Sequence, residues 1–211
     1  MVRRLAFAAA TFAWAALAYA QAPAKPDPNK AQAIVNQVCA ACHAADGNSV
    51  APANPKIAGQ FREYLAKQLG DFKAQPGKKP ARASAIMNGM AANLSEADVS
   101  NLAAYFAGQK AKPAVAGDKD LAAQGQKLWR GGSAASGVPA CAGCHGPAGA
   151  GIPAQYPRLS GQFPEYVAGQ LKAFRDGARE NDMNGIMRGV AAHLTDREID
   201  ALAQYAAGLR Q

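Results

Sequence analysis

Cys39-Ala40-Ala41-Cys42-His43 and Cys141-Ala142-Gly143-Cys144-His145 follow one pattern, Cys-x-x-Cys-His, set 102 residues apart in a chain of 211. Two thiols separated by two residues can add to the two vinyl groups of one haem, and the adjoining histidine then sits under the iron. This is the spacing of covalent c-type haem attachment. It uses all four cysteines of the chain. A thioredoxin-like redox pair requires a βαβ setting, which neither motif has. Zinc sites built from two cysteine pairs space them about 15–20 residues apart, whereas Cys42 and Cys141 lie nearly half a chain apart. Neither alternative explains a histidine after both pairs. Two covalent haem c groups are expected, on Cys39 and Cys42 and on Cys141 and Cys144, with His43 and His145 as axial ligands of the irons.

Around the motifs the second half repeats the first. Ile57-Ala58-Gly59-Gln60-Phe61-Arg62-Glu63-Tyr64 matches Leu159-Ser160-Gly161-Gln162-Phe163-Pro164-Glu165-Tyr166. Gln68-Leu69 and Phe72 then match Gln170-Leu171 and Phe174, and the block Met87 to Ser95 matches Met187 to Thr195. Between the copies, Gly108 to Asp120 has no apolar periodicity and contains Pro and Gly, so it reads as a linker. The expected division is an export signal over 1–20, a first domain over 21–107, the linker over 108–120 and a second domain over 121–211. Units of roughly 80–90 residues often need a staple to hold a core. A covalent porphyrin supplies one.

The periodicity predicts an all-α fold. Helices over Ala31 to Val38 and Leu121 to Arg130 lead into the motifs. Gln60 to Lys73 sets Phe61, Leu65, Leu69 and Phe72 at 3/4 spacing, and Gln162 to Arg175 does the same with Phe163, Val167, Leu171 and Phe174. Pro164 falls in a first turn, where proline is tolerated. Ser95 and Thr195 cap the last helix of each half, and Thr195 with Glu198 spells a capping box. No alternating strand pattern appears.

Counting narrows the second ligand of each iron. The chain has three histidines, and two belong to the motifs, so both irons cannot be bis-histidine. The spare, His193, is matched by Asn93 and reads as a surface or loop residue. Of the methionines after Met1, only Met87 and Met187 occupy equivalent positions, 44 and 42 residues after their motif histidines. Met90 matches Val190, so Met90 and Met183 read as packing residues. Met87 and Met187 are therefore the expected axial thioethers. Histidine–methionine ligation raises the reduction potential and leaves the iron no vacant position, which points to outer-sphere electron transfer.

The first twenty residues carry an export signal. Arg3 and Arg4 precede an apolar run from Leu5 to Leu17, and Ala18-Tyr19-Ala20 offers a small-x-small cleavage site. The run is short for a span of about 20 residues, so a soluble exported chain is expected. Removing Arg3 and Arg4 leaves 21 basic against 15 acidic residues, a formal charge of +6. The charges are scattered rather than striped, and no nucleic-acid module is present.

With these residues in hand, the chain resembles the cytochrome c4 family of dihaem class I cytochromes c. The resemblance rests on Asp46-Gly47-Asn48-Ser49 after the first motif, the Pro-Lys-Ile-Ala-Gly-Gln run from Pro55, and the Met87 block. In the second half it rests on Arg130-Gly131-Gly132, Pro157 to Gln162, and Met187-Arg188-Gly189-Val190-Ala191-Ala192. It implies two class I cytochrome c domains related by a pseudo-two-fold axis. It also implies that the carbonyls of Pro55 and Pro157 accept the Nδ1–H of the motif histidines. The Lys- and Pro-rich segment Gln75 to Ser84, before Met87, departs from the pattern.

Functionally, the resemblance implies a monomeric periplasmic electron carrier, sometimes loosely membrane-associated, with redox protein partners. A quinol-oxidising complex would be the donor and a terminal oxidase the acceptor. Two readings compete with it: a dihaem subunit of a flavocytochrome-like dehydrogenase, and an enzyme such as a dihaem peroxidase or a sulfur-compound oxidase. An enzyme needs an open iron and proton-moving groups, and no spare histidine or cysteine sits symmetrically to provide them.

Overall fold

The computed structural model describes residues 25–210. The export-signal reading, over 1–20, lies outside the described residues. Helix α1 (Pro28–Ile34) starts at Asp27, whose carboxylate accepts from the Asn29 amide, with Pro28 at the first helical position. It runs on through a π turn, Val35–Cys39, into α2 (Ala40–His43), so the backbone winds without a break into the first motif. Helices α3 (Arg62–Phe72), α4 (Met87–Ala91) and α5 (Glu96–Ala107) complete the first half. The second half holds α6 (Lys119–Gly131), α7 (Ala142–His145), α8 (Pro164–Arg175), α9 (Ile186–Ala191) and α10 (Asp196–Gly208). Here the lead helix stops at Gly132, and a loop closed by the Ser133–Val138 bridge precedes the motif. The described residues contain isolated bridges but no strand, and no helix among them is long and apolar enough to cross a membrane.

Two local differences from the sequence reading have simple causes. Helices α3 and α8 begin two residues later than Gln60 and Gln162, because Phe61 and Phe163 are extended. The Gln60 and Gln162 side chains accept from the amide that follows each. The second difference is that both final helices carry a full capping box. Asp98, although one methylene shorter than glutamate, accepts from the Ser95 amide at 2.9 Å, as Glu198 does from Thr195 at 2.8 Å.

In each half, the lead helix and the long middle helix pack on the last one. The first core is Ala31, Val35, Leu65, Leu102, Ala103 and Phe106; the second is Leu128, Trp129, Val138, Leu194, Ile199, Leu202 and Ala206. The crossing of α6 and α10 is unusually close. A Cβ added at Gly125 would lie 2.0 Å from the Ala201 carbonyl oxygen, which is backbone and cannot rotate away. Gly125→Ala is therefore expected to destabilise the holoprotein by about 3 kcal/mol or more, the upper end of overpacking costs. Gly169→Ala, which meets nothing within 4 Å, should be neutral or stabilising. Denaturant unfolding of both variants checks the pair, and equal stabilities would contradict the packing described.

The two halves meet through a reciprocal interface. Gln162 accepts from the Lys56 amide (3.0 Å) and donates to its carbonyl (2.8 Å). Gln60 does the same with Arg158, at 3.0 and 2.9 Å. Lys56 and Arg158 are equivalent positions, as are Gln60 and Gln162, so each contact is repeated with the roles exchanged. That exchange is the signature of a two-fold relation.

Candidate haem sites

Each motif histidine ends a short helix and is buried. His43 Nδ1–H donates to the Pro55 carbonyl at 2.9 Å, and His145 Nδ1–H to the Pro157 carbonyl at 3.0 Å. A carbonyl can only accept, so the proton is fixed on Nδ1 and Nε2 keeps its lone pair for a metal. The prolines are held in place by a clamp. The Gly47 carbonyl accepts from the Ile57 and Ala58 amides, and the Gly149 carbonyl from those of Leu159 and Ser160. Burial pushes both imidazole pKa values down, opposed by the proline hydrogen bond. The neutral, ligating form is thereby favoured.

One cavity of about 880 Å³ is shared by the two halves, and all four cysteines and both motif histidines line it. Burial pushes the Cys39 thiol up, and drives that of Cys141 to about 11. Such thiols are poor thiolate donors. Among the described residues no group of three or more His, Cys, Asp or Glu side chains could hold a metal ion. No disulfide joins any two of the four cysteines.

Methionines 87, 90, 183 and 187 also line the cavity. Met87 and Met187 are half-buried, while Met90 and Met183 are 49% and 44% exposed. The loops that carry them are latched differently. The Asn88 amide donates to the Phe72 carbonyl (2.8 Å) and the Arg82 carbonyl (2.9 Å), and its oxygen accepts from the Ser84 amide (2.7 Å). In the second half Asp182 takes the Arg188 amide at 3.0 Å and its Nε at 2.9 Å. His193 is exposed and does not line the cavity.

A polar cluster that the sequence reading did not assign joins the two sites. Buried Arg82 donates to Gln68 (2.6 Å), Tyr166 (3.0 Å) and Gln170 (2.7 Å), stacked on Phe72. Buried Arg179 donates to Gln170 (2.8 Å), Tyr64 (3.1 Å), Gln68 (3.1 Å) and Asn181 (2.9 Å), stacked on Phe174. The only sequence hint was that Tyr64 and Gln68 recur as Tyr166 and Gln170. The partners of both guanidiniums are neutral amides and phenols. Arg158 Nε, at the cavity wall, is buried with no hydrogen-bond partner. Buried cations without counter-charge are costly, and guanidiniums pair well with carboxylates. The residues present therefore fit a tetrapyrrole bearing carboxylates: Cys39, Cys42 and His43 would hold one, and Cys141, Cys144 and His145 the other.

The sequence profile of the cytochrome c family matches the chain twice, over residues 28–110 and 122–209. A cytochrome c4 from Thiocapsa roseopersicina is 49% identical over 194 residues, covering 91% of this chain and 97% of that protein. The thiosulfate dehydrogenase electron acceptor of Thiomonas intermedia is 41% identical over 172 residues, 80% of this chain and 77% of that one. The crystal structure of reduced recombinant cytochrome c4 from Pseudomonas stutzeri superposes with a TM-score of 0.81 at 46% identity, covering 88% of this chain and 100% of that chain. Two cytochrome c domains, each with its Cys-x-x-Cys-His motif, carry two covalent haem c groups. The chain belongs to the cytochrome c4 family, dihaem electron-transfer proteins rather than enzymes.

Proposed function

We propose that this chain carries single electrons in the periplasm, from a quinol-oxidising complex to a terminal oxidase. His43 with Met87 would hold one haem iron, and His145 with Met187 the other. When bound, each haem supplies a reversible one-electron ferric/ferrous couple. The protein's part is to hold its ligands still as the charge changes. The observation that carries this reading is the matched environment of the two sites. Each has a buried imidazole with its tautomer fixed by a proline carbonyl, and a half-buried methionine on a latched loop at the same cavity. A rigid ligand set keeps reorganisation small. The division into 21–107, linker 108–120 and 121–211 is supported by the lack of helix between Gly108 and Asp118. Export by residues 1–20 is supported by the signal pattern there.

A second reading has its own support in the similarity to a thiosulfate dehydrogenase electron acceptor: this chain would take electrons from a dehydrogenase rather than from the quinol pool. Oxygen uptake by membranes of the native host separates the two. The reduced protein should be oxidised by the membranes and re-reduced by quinol in a cyanide-sensitive cycle. Re-reduction by a periplasmic dehydrogenase fraction alone would favour the second reading.

A further inference from the structure

The two motif histidines are held alike by their proline carbonyls but not by the backbone behind them. His43 ends α2 and His145 ends α7, and the next residue turns the chain out of the helix. That residue is Gly146 in the second half, at φ 76° and ψ 156°. In the first half it is Ala44, at φ 61° and ψ 158°. This region of backbone space is open essentially to glycine alone, because a Cβ there crowds the flanking peptide groups. The other non-glycine residue at positive φ among the described residues, Asn184, has ψ 21°, in the left-handed helical well that asparagine tolerates. Ala44 therefore carries strain that Gly146 does not.

Both turns are forced by the same closure. The bond from His43 Nδ1 to the Pro55 carbonyl shuts a loop whose first step is Ala44, and the Gly47 amide donates to the Ala44 carbonyl at 3.1 Å. In the second half the Gly149 amide does the same for Gly146, also at 3.1 Å. Two more bonds pin only the second loop. The Trp129 indole N–H donates to the Gly146 carbonyl at 3.2 Å, and the Gly151 amide to the His145 carbonyl at 2.8 Å. Ser49, the equivalent of Gly151, turns instead to Ala51, its hydroxyl accepting from that amide at 3.1 Å. Helices α1 and α2 carry no tryptophan. The first loop thus has the strained hinge and the fewer ties.

We infer that Ala44 is a positioning residue acting through His43: it loads the first haem site with backbone strain, so that His43 leaves its iron more readily than His145 leaves its own. This rests on the axial roles proposed above for the two histidines. The strain is present only while the loop is closed on the ligated histidine, and opening the loop releases it. The first iron is then the site at which the protein gives up its proximal ligand, and the second is the one that stays closed.

Nitric oxide bound to the reduced holoprotein tests this, because it labilises the ligand opposite it. Electron paramagnetic resonance of the adduct separates six-coordinate iron, with the histidine nitrogen attached, from five-coordinate iron, which has lost it. Guanidinium titration should show two release steps, one for each haem. Ala44→Gly should lower the release constant of the easier step about tenfold, or about 1.4 kcal/mol, within the usual cost of such strain. The harder step should not move. Gly146→Ala should raise the constant of the harder step about tenfold. The sign is diagnostic: glycine placed in an unstrained loop loosens a structure through the unfolded chain, so Ala45→Gly should not tighten the easier step. No shift with Ala44→Gly, or an equal tightening by Ala45→Gly, would overturn the assignment to Ala44. An adduct already five-coordinate at both irons before any denaturant is added would instead bring down the axial roles of the histidines.

Discussion

Met187→Ala holoprotein is expected to lose half of the near-infrared thioether-to-iron charge-transfer band, to bind carbon monoxide at one iron, and to show one potential lowered by on the order of 0.1 V, since axial ligands set haem potentials over about 0.8 V. Met87→Ala should do the same at the other iron. The expectation rests on the paired half-buried positions of these residues and on the softness of sulfur, which favours ferrous iron. Met90 and Met183, about half exposed, should be replaceable by alanine with little spectral change. If Met90→Ala alters the spectrum while Met87→Ala does not, the ligand in the first half is misassigned. Optical spectroscopy with potentiometric titration of the four variants decides it.

Cys39→Ala with Cys42→Ala should reduce covalent haem from two to one per chain, read by pyridine haemochrome after acid–acetone extraction. Cys141→Ala with Cys144→Ala should do the same for the other site. Each core is small: the first contains only six buried residues, two of them alanine. Chains of this size bury too little apolar surface to be secure without a staple. The half that loses its haem should therefore also lose much of its cooperative unfolding, while the other retains its own. A drop to zero haems in either double variant would contradict two self-contained sites.

Much of this was legible in the sequence because it is local or repeated. The caps at Ser95 and Thr195 follow from short-range hydrogen bonds, whereas those at Asp27 and Asp118, which start their helices at Pro28 and Lys119 rather than at Ala31 and Leu121, were not read. The fold class follows from apolar residues at 3/4 spacing, and the two-site architecture from duplication. The continuous winding from Pro28 to His43, against a helix and a loop in the second half, could not be anticipated. A π turn at Val35–Cys39 has no strong sequence signal. The Arg82 and Arg179 cluster was invisible for a different reason. Its bonds to Tyr166 and Tyr64 join residues 84 and 115 apart, and only the packing of one half on the other creates them. The latch by Asp182 on Arg188 could not be read either, because Asn88 does the corresponding work in the first half with different chemistry.

Near-infrared magnetic circular dichroism of the native oxidised holoprotein, calibrated per haem, tests the closed His–Met assignment most directly. Two thioether charge-transfer bands' worth of intensity per chain, with no high-spin signal and no reaction of the reduced protein with carbon monoxide, is the expected result. Intensity for one haem or none, or a high-spin iron that takes up carbon monoxide at once, would contradict it.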